Sequence, residues 1–111
     1  MKFEFKKACF MIRWHHGILI NEIDVSLDKT IPKEVLERDG KRYTECFIIK
    51  FNKKNKEEVV GYGLAKTHSL DNFCKNTGRK ISLTKALEDF GKEFRAQVWT
   101  SYFAMRGGKH E

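Results

Sequence analysis

The hydrophobic period of this chain changes once, and that change constrains the fold more than any other feature. Up to about residue 66 the apolar residues alternate with polar ones or run in short blocks bounded by turn residues, as strands do. From Ser69 onward the period lengthens to near four, and Leu83, Leu87, Phe90, Phe94, Val98 and Tyr102 form a stripe down one helical face. Strands followed by helices must bury two kinds of apolar surface against each other. The economical arrangement is an α+β fold, an antiparallel sheet of four or five strands packed on one face by C-terminal helices. A length of 111 residues supports one core, so residues 1–111 are expected to form a single domain. With 41% hydrophobic and 13% aromatic residues, the chain has the apolar mass to order itself.

Local signals divide the two regions. Phe3 and Phe5 lead into Cys9-Phe10-Met11-Ile12, and Ile18, Ile20, Ile23, Val25 and Leu27 follow, which predicts strands over residues 2–14 and 18–27 joined around His15-His16-Gly17. Residues 30–40 support two readings, because Pro32 can open a short helix and Asp39-Gly40 can turn a hairpin. Tyr43 to Phe51, the polar loop Asn52 to Lys56, and Val59 to Ala65 read as a hairpin. Gly61 and Gly63 in its return strand call for a bulge or for another backbone close by. Ser69 to Thr77 reads as a short helix capped by Ser69 and ended by a left-handed Gly78, with Ser82 capping the next helix. Gly91 permits one bent helix or two joined there, and Gly107 to Glu111 reads as a frayed tail.

No stretch approaches the roughly 20 apolar residues of a membrane span, and the opening Met1 to Lys7 lacks the apolar run of a secretory signal. Cys9, Cys46 and Cys74 are odd in number and hold no C-x-x-C pair, so neither a disulfide framework nor a zinc ribbon is legible. A reducing, cytoplasmic compartment fits, and Cys9 and Cys46, each in an apolar run, are expected in the core. The 22 Lys and Arg against 15 Asp and Glu give a net charge of +7, the balance of a chain with a polyanionic partner. That charge is unevenly placed. Residues 17–40 carry three basic and six acidic groups, and residues 66–85 carry five basic and one acidic.

Chemistry-bearing residue types are densest between Lys66 and Lys80. Lys75, Arg79 and Lys80 surround Gly78, and the planar paired donors of Arg79 suit a phosphate. Backbone amides at a helix start near Ile81 and Ser82 would face the same anion. Lys53, Lys54 and Lys56 add to this surface if the hairpin loop lies alongside. The plainer alternative is a solvated basic loop, with Arg79 holding a helix carbonyl or Asp71. His68 and Asp71 could pair for general-base work or offer two metal ligands, but the ordinary roles of packing and of stabilising a helix start are favoured. No metal or cofactor is expected, and no nucleophile, base and orienting group assemble into a catalytic set. His15 and His16 should diverge to opposite faces of a strand, and Trp99, Tyr102 and Phe103 should pack on the core. Tyr62, between two glycines, is the better candidate for an exposed aromatic.

The run from His68 to Leu87, His-Ser-Leu-Asp-Asn-Phe-Cys-Lys-Asn-Thr-Gly-Arg-Lys-Ile-Ser-Leu-Thr-Lys-Ala-Leu, followed by Arg95, Trp99 and Tyr102, resembles a segment of small phage and prophage proteins of no assigned activity. The likeness covers residues 61–103 and has no counterpart in the first half. It implies a viral source, a bacterial host cytosol and one of two roles. The first is a non-enzymatic accessory protein gripping the phosphate backbone of DNA or RNA through Lys75, Arg79 and Lys80. The second is an anti-defence inhibitor of anti-CRISPR type that docks on a host nuclease complex, its acidic stretch from Glu22 to Asp39 meeting a basic groove. A hydrolase built on His68 and Asp71 is the least favoured reading.

Overall fold

In the computed structural model, residues 1–67 and 74–105 are described. They form an α+β fold with the element order β1 (Lys2–Phe5), β2 (Ala8–Ile20), β3 (Ile23–Asp24), α1 (Lys33–Asp39), β4 (Lys41–Phe51), β5 (Glu57–Lys66), α2 (Lys75–Ala86) and α3 (Lys92–Met105). The strands make one antiparallel sheet in the order β1-β2-β4-β5, with β3 paired to the far end of β2. Among the described residues no helix is long and apolar enough to cross a membrane.

The strand expected to break at His15-His16-Gly17 instead runs unbroken from Ala8 to Ile20. Gly17 is there for space: a Cβ would lie 2.5 Å from the Tyr43 ring across the ladder. The actual turns are two-residue loops, Lys6-Lys7 between Phe5 and Ala8, and Asn21-Glu22 between Ile20 and Ile23. All four residues have positive φ, between 48° and 68°. That backbone suits the right-handed twist of a hairpin, but only Asn among the four announces it in sequence.

The hairpin of β4 and β5 forms as expected, and both of its glycines are used. The register slips between Ile48 and Ile49, where Gly61 and Val59 are their partners and Val60 is the extra residue of a bulge. Gly63 lies under α2, where a Cβ would fall 2.0 Å from the Ser82 carbonyl oxygen. Residues 33–39 are helical, with Pro32 at the N-cap position, which settles the first of the two readings of that segment.

Alternation puts Phe10, Ile12, Cys46 and Ile48 on the face that receives α2 and α3. α2 packs over β4 and β5, and α3 returns beside β1 and β2. Leu83, Leu87, Phe94, Val98 and Tyr102 of the helical stripe are buried in this layer, and Phe3, Phe5, Phe10, Phe90 and Phe94 close its far end in stacked and edge-on contacts. Gly91 separates two helices, its carbonyl accepting the first bond of α3 from Arg95. Cys46 is core, and burial pushes its thiol up to about 12. Cys9 corrects the expectation that it too is core: it is exposed, because Phe10 occupies the inward position of that pair.

Candidate nucleic-acid interface

The segment from Lys75 to Lys80 differs from its expected form. α2 runs without interruption from Lys75 to Ala86, so Gly78 is a buried interior residue and terminates nothing. Ser82 is likewise interior, its hydroxyl donating to the Arg79 carbonyl at 3.2 Å. The amides of Ile81 and Ser82 therefore belong to the helical ladder and cannot face an anion. Gly78 is four residues before the buried Ser82 and is itself buried, so it lies on the inward side of the helix at some cost in intrinsic propensity. The helix begins after Cys74, the residue at its N-cap. His68, Asp71 and the Ser69 cap lie outside the described residues, as does the Gly107 to Glu111 tail.

The one helix collects the three cations on consecutive turns. Lys75 and Arg79 are four apart and share a side of it, and Lys80 follows a step around. Arg79 is fixed in two ways. Its guanidinium donates to Asn76 Oδ1 at 2.9 Å, and its carbonyl accepts the indole N–H of Trp14 at 3.3 Å. Neither contact uses a carboxylate. No acidic residue occupies the first turn of α2, and among the described residues no carboxylate lies in ion-pair distance of Lys75, Arg79 or Lys80.

Beneath this end of α2 lies His16, which the sequence offered only as one of two diverging imidazoles. They do diverge: His15 approaches Asp24 at 3.6 Å on the opposite face, and His16 shares a 2.8 Å hydrogen bond with the buried Thr44 hydroxyl. Burial, then the charges of Arg79, Lys75 and His15, hold the His16 imidazole below its ordinary value. Arg42 shares that face of β4 by alternation with Thr44 and extends the basic end of the sheet. Arg42 was not singled out in sequence, and His16 was not linked to the α2 cations, because His16 lies far from them along the chain and the fold brings it under the helix.

Lys53, Lys54 and Lys56 are exposed in the β4–β5 loop, at the other end of the sheet. Arg79 sits over Trp14, whose partner on β4 is Cys46, so the loop begins six residues further along that strand. At a rise of about 3.4 Å per residue the two basic groups are on the order of 20 Å apart. The hairpin loop does not lie alongside α2.

The acidic stretch engages most of its own charge. Asp24 accepts from Ser26 and from the Tyr43 hydroxyl, and these bonds hold its carboxyl down to about 2. The same contact, after burial, pushes the Tyr43 phenol up. Glu22 is paired with Lys66 at 3.1 Å, Asp28 accepts from Thr30, and Asp39 pairs with Arg38. No group of three or more His, Cys, Asp or Glu is placed to hold a metal among the described residues. Tyr62 is exposed as expected, with its hydroxyl donating to Glu45 at 2.7 Å. Comparison with protein-family models, with curated proteins and with solved structures finds no match to the chain.

Proposed function

We propose that this protein is a non-enzymatic, phage-type accessory protein that binds nucleic acid through phosphate contacts made at the start of α2. The observation that carries the reading is the set of Lys75, Arg79 and Lys80 on successive turns of one helix with no carboxylate in ion-pair reach among the described residues. Cations on a rigid element that hold no ion pair with another described residue can meet a phosphate backbone directly. The imidazole of His16, depressed first by burial and then by Arg79 and Lys75, places the charge of both cations at this end of the helix. Binding of this kind is sensitive to salt and largely neutral to sequence. Its setting would be the host cytosol.

The competing role, an inhibitor that turns its acidic stretch toward a basic groove, is less favoured because four of the six carboxylates of that stretch already have partners within the chain. The test is fluorescence anisotropy with labelled single- and double-stranded DNA and RNA at about 50 and about 200 mM salt. We expect binding that weakens steeply with salt. The Arg79→Ala/Lys80→Ala double variant should bind at least about tenfold more weakly, with its log–log salt slope reduced by about two. Equal affinity in the double variant, or no binding at low salt, overturns the site.

A further inference from the structure

We infer that the groove between α2 and α3 holds an unpaired base, so that the nucleic acid bound by this protein is single-stranded; this rests on the phosphate-binding reading above and names the kind of strand it takes. The buried stripe of α3 is Phe94, Val98 and Tyr102. Beside it runs a second stripe, Lys92, Arg95, Trp99 and Phe103, whose spacing of three or four residues puts all four on one flank of the helix. That flank meets α2. Thr84, Leu87 and Glu88 on one wall and Lys92, Arg95 and Trp99 on the other line a groove of about 380 Å³, open to solvent and within the size range of small-ligand sites.

Core packing does not account for the aromatic wall. Tyr102 is wholly buried, whereas Trp99 is only partly covered and Phe103, expected on the core, is 41% exposed. Phe103 lies along the indole of Trp99, with ring centroids 5.9 Å apart and planes inclined by 27°, and Tyr102 meets the same indole edge-on at 5.6 Å. These two contacts hold the indole plane in place at the groove. A base can stack on an aromatic ring already fixed in this way without first ordering it.

Charge selects the occupant. Lys92 and Arg95 stand on the α3 wall, and Lys80, four residues before Thr84, lies on the same side of α2 as that groove residue. Among the described residues none of the three is in ion-pair distance of a carboxylate, and Glu88 is the one acidic side chain of the lining. Cations around an aromatic plane suit a ligand that is flat at its centre and anionic at its edge, as each nucleotide of a strand is. In a duplex the base faces are stacked on one another, and reaching Trp99 would mean pulling one out. A single strand offers base and phosphate together. Lys80 belongs both to the α2 cations and to this groove, which joins the two.

The test compares four ligands of about ten nucleotides, namely oligo-dT, oligo-U, a strand of abasic sites and a duplex, by anisotropy and by tryptophan emission. We expect oligo-dT and oligo-U to quench the emission, and the abasic strand and the duplex to leave it unchanged. Trp99→Ala should bind oligo-dT and oligo-U at least about tenfold more weakly and the abasic strand equally well, with the salt slope unchanged. Trp99→Phe, which keeps a ring to stack on and leaves Trp14 as the one emitter, should bind within about threefold of the parent chain and show no quenching. If circular dichroism shows that Trp99→Ala unfolds, Trp99→Leu takes its place. Quenching by one of the two single strands alone upholds the inference and assigns the sugar. An abasic strand bound as tightly as oligo-dT and oligo-U, quenching by the duplex, or Trp99 variants that bind every ligand as the parent does overturns the inference and leaves the phosphate reading standing. No binding of any ligand at low salt overturns the phosphate reading, and the inference with it.

Discussion

At residue scale, His16 links the fold to the proposed interface. Its imidazole is favoured in the neutral form in the folded chain, whereas in the unfolded chain it titrates near 6.5. A base whose folded value is lowered contributes stability above the unfolded value and loses it as pH falls from there through the folded value. We expect the urea midpoint to drop between about pH 7.5 and about pH 5.5, and His16→Gln to flatten that part of the profile. Nucleic acid bound at Lys75 and Arg79 would offset two of the charges that depress His16. Its NMR titration should therefore move upward on adding a saturating oligonucleotide, and an unmoved titration would place the ligand elsewhere. None of this was legible in sequence, where His16 looked like half of a poor chelate.

At the scale of elements, the contact of α2 with β5 depends on the absence of a side chain at Gly63. The atom met by an added Cβ is a backbone carbonyl inside a helix, which cannot swing aside as a flexible side chain would. Gly63→Ala should cost about 3 kcal/mol in urea unfolding, and a loss below about 1 kcal/mol would mean that α2 sits higher on the sheet. The sequence announced that these glycines served a bulge or a close backbone, and they serve both. The position of α2 also separates the two lysine-rich groups. An oligonucleotide of about three nucleotides spans roughly 10 Å at about 3.4 Å per nucleotide and cannot reach both. Lys53→Ala/Lys54→Ala/Lys56→Ala should leave its affinity within about twofold, and a tenfold loss would place the interface at the hairpin.

For the whole molecule, one layer of helices on one sheet implies one cooperative unit. Trp14 lies in the sheet and Trp99 in α3, and both contact Tyr102, with ring centroids 5.8 and 5.6 Å away. Tryptophan fluorescence and far-ultraviolet circular dichroism should therefore give coincident urea transitions, and separated midpoints would show that α3 detaches before the sheet melts. The positive charge of the molecule is polarised in three dimensions as well as along the chain. Basic groups gather at the start of α2 and at the β4–β5 loop.

The sequence by itself determined the fold class, the helical stripe, the β4–β5 hairpin and the cations of residues 75–80, because hydrophobic period and charge are local properties of a chain. It misplaced the turn of β2, since Lys6-Lys7 adopts a left-handed backbone that no glycine announces and Gly17 makes room for a ring. It also ended a helix at Gly78, because a glycine buried inside a helix and a glycine that stops one are the same letter. Only the tertiary structure decided which cations stand together. The fold set His16 beneath α2 with Arg42 on the same face of the sheet, and the length of β4 carried Lys53, Lys54 and Lys56 to the opposite end. Distances between residues far apart in the chain follow from pairing and packing, which no local pattern encodes.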